Sequence, residues 1–276
     1  MEAEKAGATG RTYAVVSCHF GDPFWIEQLT HWLETMTPPG VIGSFRVVNQ
    51  DETPEQDAHL RSLPLVTEVL RFPRCEAQVA MMGHDHPDAL DRVLALPYDT
   101  THVIVFDSDC LPVSDTWLTR VGEALDRVDV VIAAQHRWGG LSHPCFAVLP
   151  TDRLGEFDFS RGVCEVGIDT GRLVAMQAVD AGLTVDLLLP EPAFARWRGS
   201  YYLDGDIFHF GGGSYTTSTD PKIQGKIDRR QDEFFQGRVA AGRWSLSTAD
   251  KAWLRCRWLL RRLRRWRRRR RTDVAR

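Results

Sequence analysis

Short apolar runs alternate with amphipathic stretches over most of the chain. Brief β-branched and aromatic runs predict strands, and apolar residues recurring at three- and four-residue steps predict helices. Residues 12–20 (TYAVVSCHF) predict a first strand, closed by a turn at Gly21-Asp22-Pro23. Asp22 and Pro23 suit a helix start. A helix over 24–36 follows, with Trp25, Leu29, Trp32 and Leu33 on one face, stopped by Pro38-Pro39-Gly40. Further strands are expected at 44–49, 65–72, 103–106, 128–134, 145–149 and 183–189. Further helices are expected at 85–96, with Pro87 in the first turn, at 115–124 and at 169–181. In the last of these Asp169 is the expected N-cap and Gly182 the left-handed stop. Alternating strands and helices argue for an α/β sandwich on a largely parallel sheet.

The 103–106 run (VIVF) stands out because it is apolar throughout, as a strand buried on both faces is. It leads into Asp107-Ser108-Asp109, and Leu111-Pro112 is expected to end it, since proline donates nothing to a ladder. Ligands of open α/β sheets bind beyond the carboxyl ends of the strands. Two carboxylates there repel each other, and a divalent cation relieves that repulsion while attracting phosphate oxygens. A turn-capping Asp107 beside a solvated Asp109 is the competing structural role.

The composition narrows the setting. The chain has 276 residues and is 43% hydrophobic, enough for one large domain with a sizeable core. Residues 251–276 hold one Lys, twelve Arg and one Asp, a net +12 against -3 for the whole chain, so residues 1–250 carry -15. The six cysteines (18, 75, 110, 145, 164 and 256) show no zinc-type spacing, which points to a reduced, cytosolic protein. The polar start of the chain has no apolar signal core, and no run is long enough to span a membrane. The expected organisation is a flexible 1–11, a body over 12–245 and a basic amphipathic helix over 246–276.

Around Asp107-Ser108-Asp109, the order of features over residues 12–214 resembles glycosyltransferases of the GT-A fold, most closely the inverting family 2. That resemblance implies a Rossmann-like three-layer sandwich with a mostly parallel, mixed central sheet. It also implies a divalent metal, Mn or Mg, on Asp107 and Asp109, holding the diphosphate of a nucleotide-sugar donor such as a UDP, GDP or dTDP sugar. His209, in His209-Phe210-Gly211-Gly212-Gly213-Ser214, resembles the family's late histidine ligand. The glycines Gly211, Gly212 and Gly213 would let backbone amides approach phosphate. His19 and Phe20, at the end of the first strand, and Ser108 resemble nucleotide contacts. Asp51 resembles the acid that meets base or ribose. His84 and Asp88 fall where the family places residues ahead of the metal strand.

Asp169-Thr170-Gly171 resembles the family's late acid. Asp169 would then be the general base on the acceptor hydroxyl, with Glu165 as the alternative. Trp138 and Trp197 are candidates for an acceptor platform, with core packing as their competing role. The motif of processive synthases is missing, so the resemblance implies a hexosyltransferase adding one sugar. A nucleotidyltransferase or a non-catalytic nucleotide binder are the alternatives. In the tail, Trp253, Cys256, Leu259, Leu260, Leu263 and Trp266 recur at helical steps among arginines. Such a helix over 251–271 suits an anionic membrane surface, here the inner face, making the chain a peripheral membrane protein. Docking on the protein's own body is the rival, and no nucleic-acid fold accompanies the arginines.

Overall fold

The computed structural model describes residues 10–21, 23–50, 53–82, 85–135, 141–192 and 200–210. Apolar strands build a seven-stranded sheet: β1 (Tyr13–His19), β2 (Ile42–Asn49), β3 (Glu68–Leu70), β4 (His102–Asp107), β6 (Val130–Ala134), β7 (Ser142–Pro150) and β8 (Val185–Leu188). Their order is β3-β2-β1-β4-β7-β6-β8. β1 pairs in parallel with β2 and β4, as do β2 with β3 and β6 with β8, while β7 runs antiparallel to β4 and β6. This is the expected mixed, mostly parallel sheet.

Strand residues alternate between two cores. One face puts Val15, Phe45, Ile104 and Phe106 against α1 (Phe24–Met36) and α5 (Trp117–Leu125). The other puts Ala14, Val16, Val103 and Val105 against α4 (His86–Leu94) and α7 (Val174–Asp180). Helix, sheet and helix therefore make three layers. Trp25, Leu29, Trp32 and Leu33 of α1, and Ala89, Leu90, Val93 and Leu94 of α4, are buried as their spacing requires. Asp22, the expected cap of α1, lies outside the described residues. Arg11 is anchored on α5: it pairs with Asp126 at 2.8 Å and donates to the Leu125 carbonyl at 3.2 Å.

The structure departs from expectation in four ways. Two helices, α2 (Pro54–Ser62) and α3 (Glu76–Met82), occupy stretches with little apolar period. Leu60 is the buried residue of α2, and its start is set by Thr53, whose hydroxyl accepts from the Gln56 amide at 3.2 Å. The strand predicted over 65–72 shrinks to Glu68–Leu70, with Leu65 at φ 63° turning the chain ahead of it. The helix predicted from Asp169 begins at Val174. Its end is as expected: Gly182, at φ 77°, donates to Val179 O and Leu183 to Ala178 O, the Schellman pattern.

The fourth departure makes the site. Leu111-Pro112 does not release the chain into a loop. Cys110–Pro112 (β5) is an edge strand of a second sheet, ordered β5-β11-β10-β9 with β9 (Glu191–Pro192), β10 (Ser200–Tyr202) and β11 (Ile207–His209). An edge tolerates proline because its missing N–H is not needed there. β5 and β11 run antiparallel, with Pro112 opposite Ile207, Leu111 opposite Phe208 and Cys110 opposite His209.

Candidate metal centre

β4 delivers Asp107 to the carboxyl edge of the parallel strands, beside Cys18 at the end of β1. The turn after β4 presents Asp109, 4% exposed, and β5 then pairs with β11. That pairing sets His209 Nε2 3.3 Å from Asp109 Oδ1 and 3.8 Å from Asp107 Oδ2. One donor atom from each of Asp107, Asp109 and His209 lies within 4.8 Å of the others. His86, at the start of α4, adds Nε2 at 3.6 Å from Asp107 Oδ1. That buried carboxylate oxygen has no hydrogen-bond partner among the described residues. Two carboxylates and an imidazole, one oxygen lacking a hydrogen bond, fit a hard divalent cation such as Mn or Mg.

A second donor group adjoins the first. β7 runs antiparallel to β4 with Phe146 opposite Phe106, which brings the residues before Phe146 alongside Asp107. His143, Cys145 and His209 each offer a donor atom within 4.8 Å of the others. The His143 and His209 rings are 4.9 Å apart between centroids. Cys145 and Cys110 are both buried and hydrogen-bonded to each other through their side chains.

Electrostatics follow from this crowding. Burial pushes the Asp107 carboxyl up to about 7, the Cys145 sulfur adds to that, and the His209 charge only partly opposes it. Burial also raises the Cys145 thiol, but the Cys110 hydrogen bond and the His209 and His143 charges outweigh it and hold it well below the usual value. Burial disfavours charge on His209, yet Cys145 and Asp109 hold its imidazole well above the usual range. The site thus crowds carboxylates, imidazoles and a thiol into largely buried positions, where charges act on one another more strongly than in water.

The other candidates are placed as follows. His19 is buried at the end of β1, and its carbonyl accepts from the Gln50 amide at 2.9 Å; Phe20 beside it is exposed. Ser108 sits half-buried between the two carboxylates. Asp88 lies one turn into α4 and is paired with Arg92 at 2.6 Å. Asp169 does not cap a helix: its Oδ1 accepts from the adjacent Thr170 amide at 3.0 Å, and α7 starts five residues later. Its turn is bolted to the start of β7, where the Ser142 hydroxyl donates to the Gly171 carbonyl at 2.6 Å and accepts from the Ala175 amide at 3.2 Å. Because β7 is antiparallel to β4, that start lies at the Asp107 edge of the sheet. Glu165, in α6 (Val163–Val166), is exposed, as is Asp169. Asp51, His84, Trp138, Trp197, Gly211, Gly212, Gly213 and the 246–276 tail lie outside the described residues.

Sequence reasoning missed His86, His143 and Cys145. His86 lies between His84 and Asp88, the two residues to which the resemblance gave roles. His143 and Cys145 alternate across one intervening residue, the spacing of one strand face, and the strand predicted over 145–149 began too late to include both.

No protein-family model matches the chain, and no curated protein matches it in sequence. Among solved structures, it is similar to residues 1–349 of TarS from S. aureus at 14% identity and a TM-score of 0.47, over 64% of this chain and 58% of that one. It is similar to glucosyl-3-phosphoglycerate synthase from Mycobacterium tuberculosis at 17% identity and a TM-score of 0.46, over 65% of this chain and 69% of the other. A third similarity is to 4-diphosphocytidyl-2C-methyl-D-erythritol synthase from Anaerococcus prevotii, at 10% identity and a TM-score of 0.47, over 80% and 97% of the two chains.

Proposed function

We propose that this chain is a metal-dependent, non-processive glycosyltransferase of the GT-A type, family 2-like, transferring one sugar with inversion from a nucleotide-diphosphate sugar to an acceptor hydroxyl. The observation that carries this reading is the convergence of Asp107, Asp109 and His209 within 4.8 Å at the carboxyl edge of the parallel strands. These three residues would hold Mn or Mg, which when bound supplies positive charge against the departing diphosphate. His209, packed against Asp109, fixes that carboxylate before a donor arrives. His19, Phe20 and Ser108 border the same edge and would meet the nucleotide.

Asp169 takes the proton from the acceptor hydroxyl in this reading. It is exposed, fixed through its turn to β7 and free of a helix-capping duty. Glu165 is the alternative base. Asp51, His84, Asp88 and the Gly211–Gly213 run complete the proposed donor contacts, and Trp138 and Trp197 the acceptor platform.

The test is product analysis with UDP, GDP and dTDP sugars in Mn, with and without EDTA. Release of nucleoside diphosphate that needs Mn and disappears in Asp109→Ala supports the proposal. Turnover indifferent to chelation removes the metal from it. Pyrophosphate release would identify a nucleotidyltransferase, and binding without turnover a non-catalytic nucleotide binder.

The arginine-rich 251–271 segment is proposed to hold the protein at an anionic membrane surface. No helix among the described residues is long and apolar enough to cross a membrane. Full-length protein should sediment with anionic vesicles and the chain lacking 251–276 should not. Equal sedimentation of both would overturn it.

A further inference from the structure

Of the second donor group, His143 and Cys145 have no part in the transferase reading. His143 and Cys145 are alternate residues of β7, so their side chains leave the same face of the sheet. β11 supplies His209 to that face, and its ladder partner Cys110 sits beside it. Two strands that are distant in sequence thus converge on two imidazoles and a thiol. A soft sulfur donor with two imidazoles is the donor set of thiophilic metals, whereas Asp107, Asp109 and His209 are the set of hard ones.

We infer that His143, Cys145 and His209 form a second metal site, selective for a divalent ion of the zinc class, which shares His209 with the Asp107–Asp109 site. The donor atoms lie within 4.8 Å of one another, and tetrahedral zinc holds such donors roughly 3.5 Å apart. Closing that gap takes side-chain rotation rather than strand movement. His143 Nδ1 accepts from the Cys145 amide at 3.1 Å, so ligation through Nε2 keeps that local bond and ligation through Nδ1 gives it up. A metal–nitrogen bond outweighs a neutral hydrogen bond. Cys110, hydrogen-bonded to Cys145, is placed to become a fourth donor.

Sharing has a consequence. His209 Nε2 faces Asp109 at 3.3 Å, and a metal seated between His143 and Cys145 draws that imidazole toward β7. Zinc-class ions therefore oppose manganese at the carboxylates by removing a ligand. Absence of glycosyl transfer would leave the inference untouched, because metal binding is read without turnover.

The experiment uses the purified full chain and cobalt(II) as a spectroscopic stand-in for zinc. Stoichiometric cobalt should produce a thiolate-to-metal charge-transfer band that zinc abolishes by displacement. The band should vanish in Cys145→Ser and weaken in His143→Gln, yet survive in Asp109→Asn and in Cys164→Ser, which alters an exposed thiol. Manganese binding, followed by electron paramagnetic resonance, should show the reverse pattern: lost in Asp109→Asn and retained in Cys145→Ser. X-ray absorption on the zinc-loaded wild type guards against a variant that misfolds. One or two sulfur ligands with imidazole support the site. A shell of oxygen and nitrogen alone, or a charge-transfer band that persists in folded Cys145→Ser, overturns it.

Discussion

The backbone amide of Phe210 donates to the carbonyl of Asp109 at 3.0 Å. This bond closes the β5–β11 ladder at its site end, one residue beyond the Cys110–His209 pair. It ties the turn carrying Asp109 to the strand carrying His209, so the distance between the two side chains is set by main-chain bonding. The Val113 amide, donating to Asp206 O at 2.8 Å, closes the other end of the same ladder. Long side chains on separate loops would have to surrender conformational entropy to meet; here the backbone has already fixed them.

Loss of the Asp109 carboxylate should therefore act on metal and catalysis before it acts on the fold. Asp109→Asn keeps the shape and removes the charge. Manganese affinity measured by calorimetry should fall steeply, and turnover should drop at least about 100-fold, roughly 2.7 kcal/mol of barrier. A drop below about threefold would remove Asp109 from the metal centre.

Asp169 gives a clean separation of roles, because it caps no helix. Asp169→Asn should leave the urea midpoint within about 0.5 kcal/mol of wild type, as for a surface site. Its kcat should fall at least about 100-fold while donor KM changes little. If Glu165→Gln shows that loss and Asp169→Asn does not, the base is Glu165.

Gly171 tests the scaffold beneath Asp169. It adopts φ 62°, and a Cβ there would come within 2.9 Å of Phe159 Cδ1 and 3.2 Å of Pro144 Cβ. Gly171→Ala should thus cost about 2–4 kcal/mol in urea unfolding, from strain and overlap together. Gly182, at φ 77° with nothing within 4 Å of its Cβ position, is the control. Gly182→Ala should cost only about 1 kcal/mol. Equal costs would show that packing around Gly171 gives way.

Asp91 links α4 to the same region, accepting from the Phe159 amide at 2.6 Å and the Ser160 amide at 3.0 Å. Burial raises its carboxyl from 3.8 to about 6, against the opposing pull of the Ser160 hydroxyl and those amides. A carboxyl raised on folding binds its proton more tightly in the native state. Its contribution to stability is complete below 3.8 and is lost as pH rises through about 6. Unfolding free energies measured across that window should fall with rising pH in the wild type. Asp91→Asn, lacking the ionisation, should flatten that slope; an unchanged slope would exclude Asp91 as its source.

Composition and local spacing determined the layered body of this protein. The apolar runs at 12–20 and 103–106 had to be buried on both faces, and the stripes of α1 and α4 had to cover them, because period and hydrophobicity are local properties of the chain. The pairing of Asp107 with Asp109 was legible for the same reason, as was Gly182 at the end of α7. Helices α2 and α3 were not, since their few buried side chains leave hardly any period to read. Nor was the register that decides the site. Nothing local in Cys110–Pro112 says that it pairs with Ile207–His209 almost a hundred residues on, or that the antiparallel turn of β7 sets His143 and Cys145 beside Asp107. Such contacts depend on ladder bonds between distant strands, and those are chosen only when the whole sheet assembles. Sequence placed two carboxylates at a strand end; tertiary structure surrounded them with three histidines and a thiol.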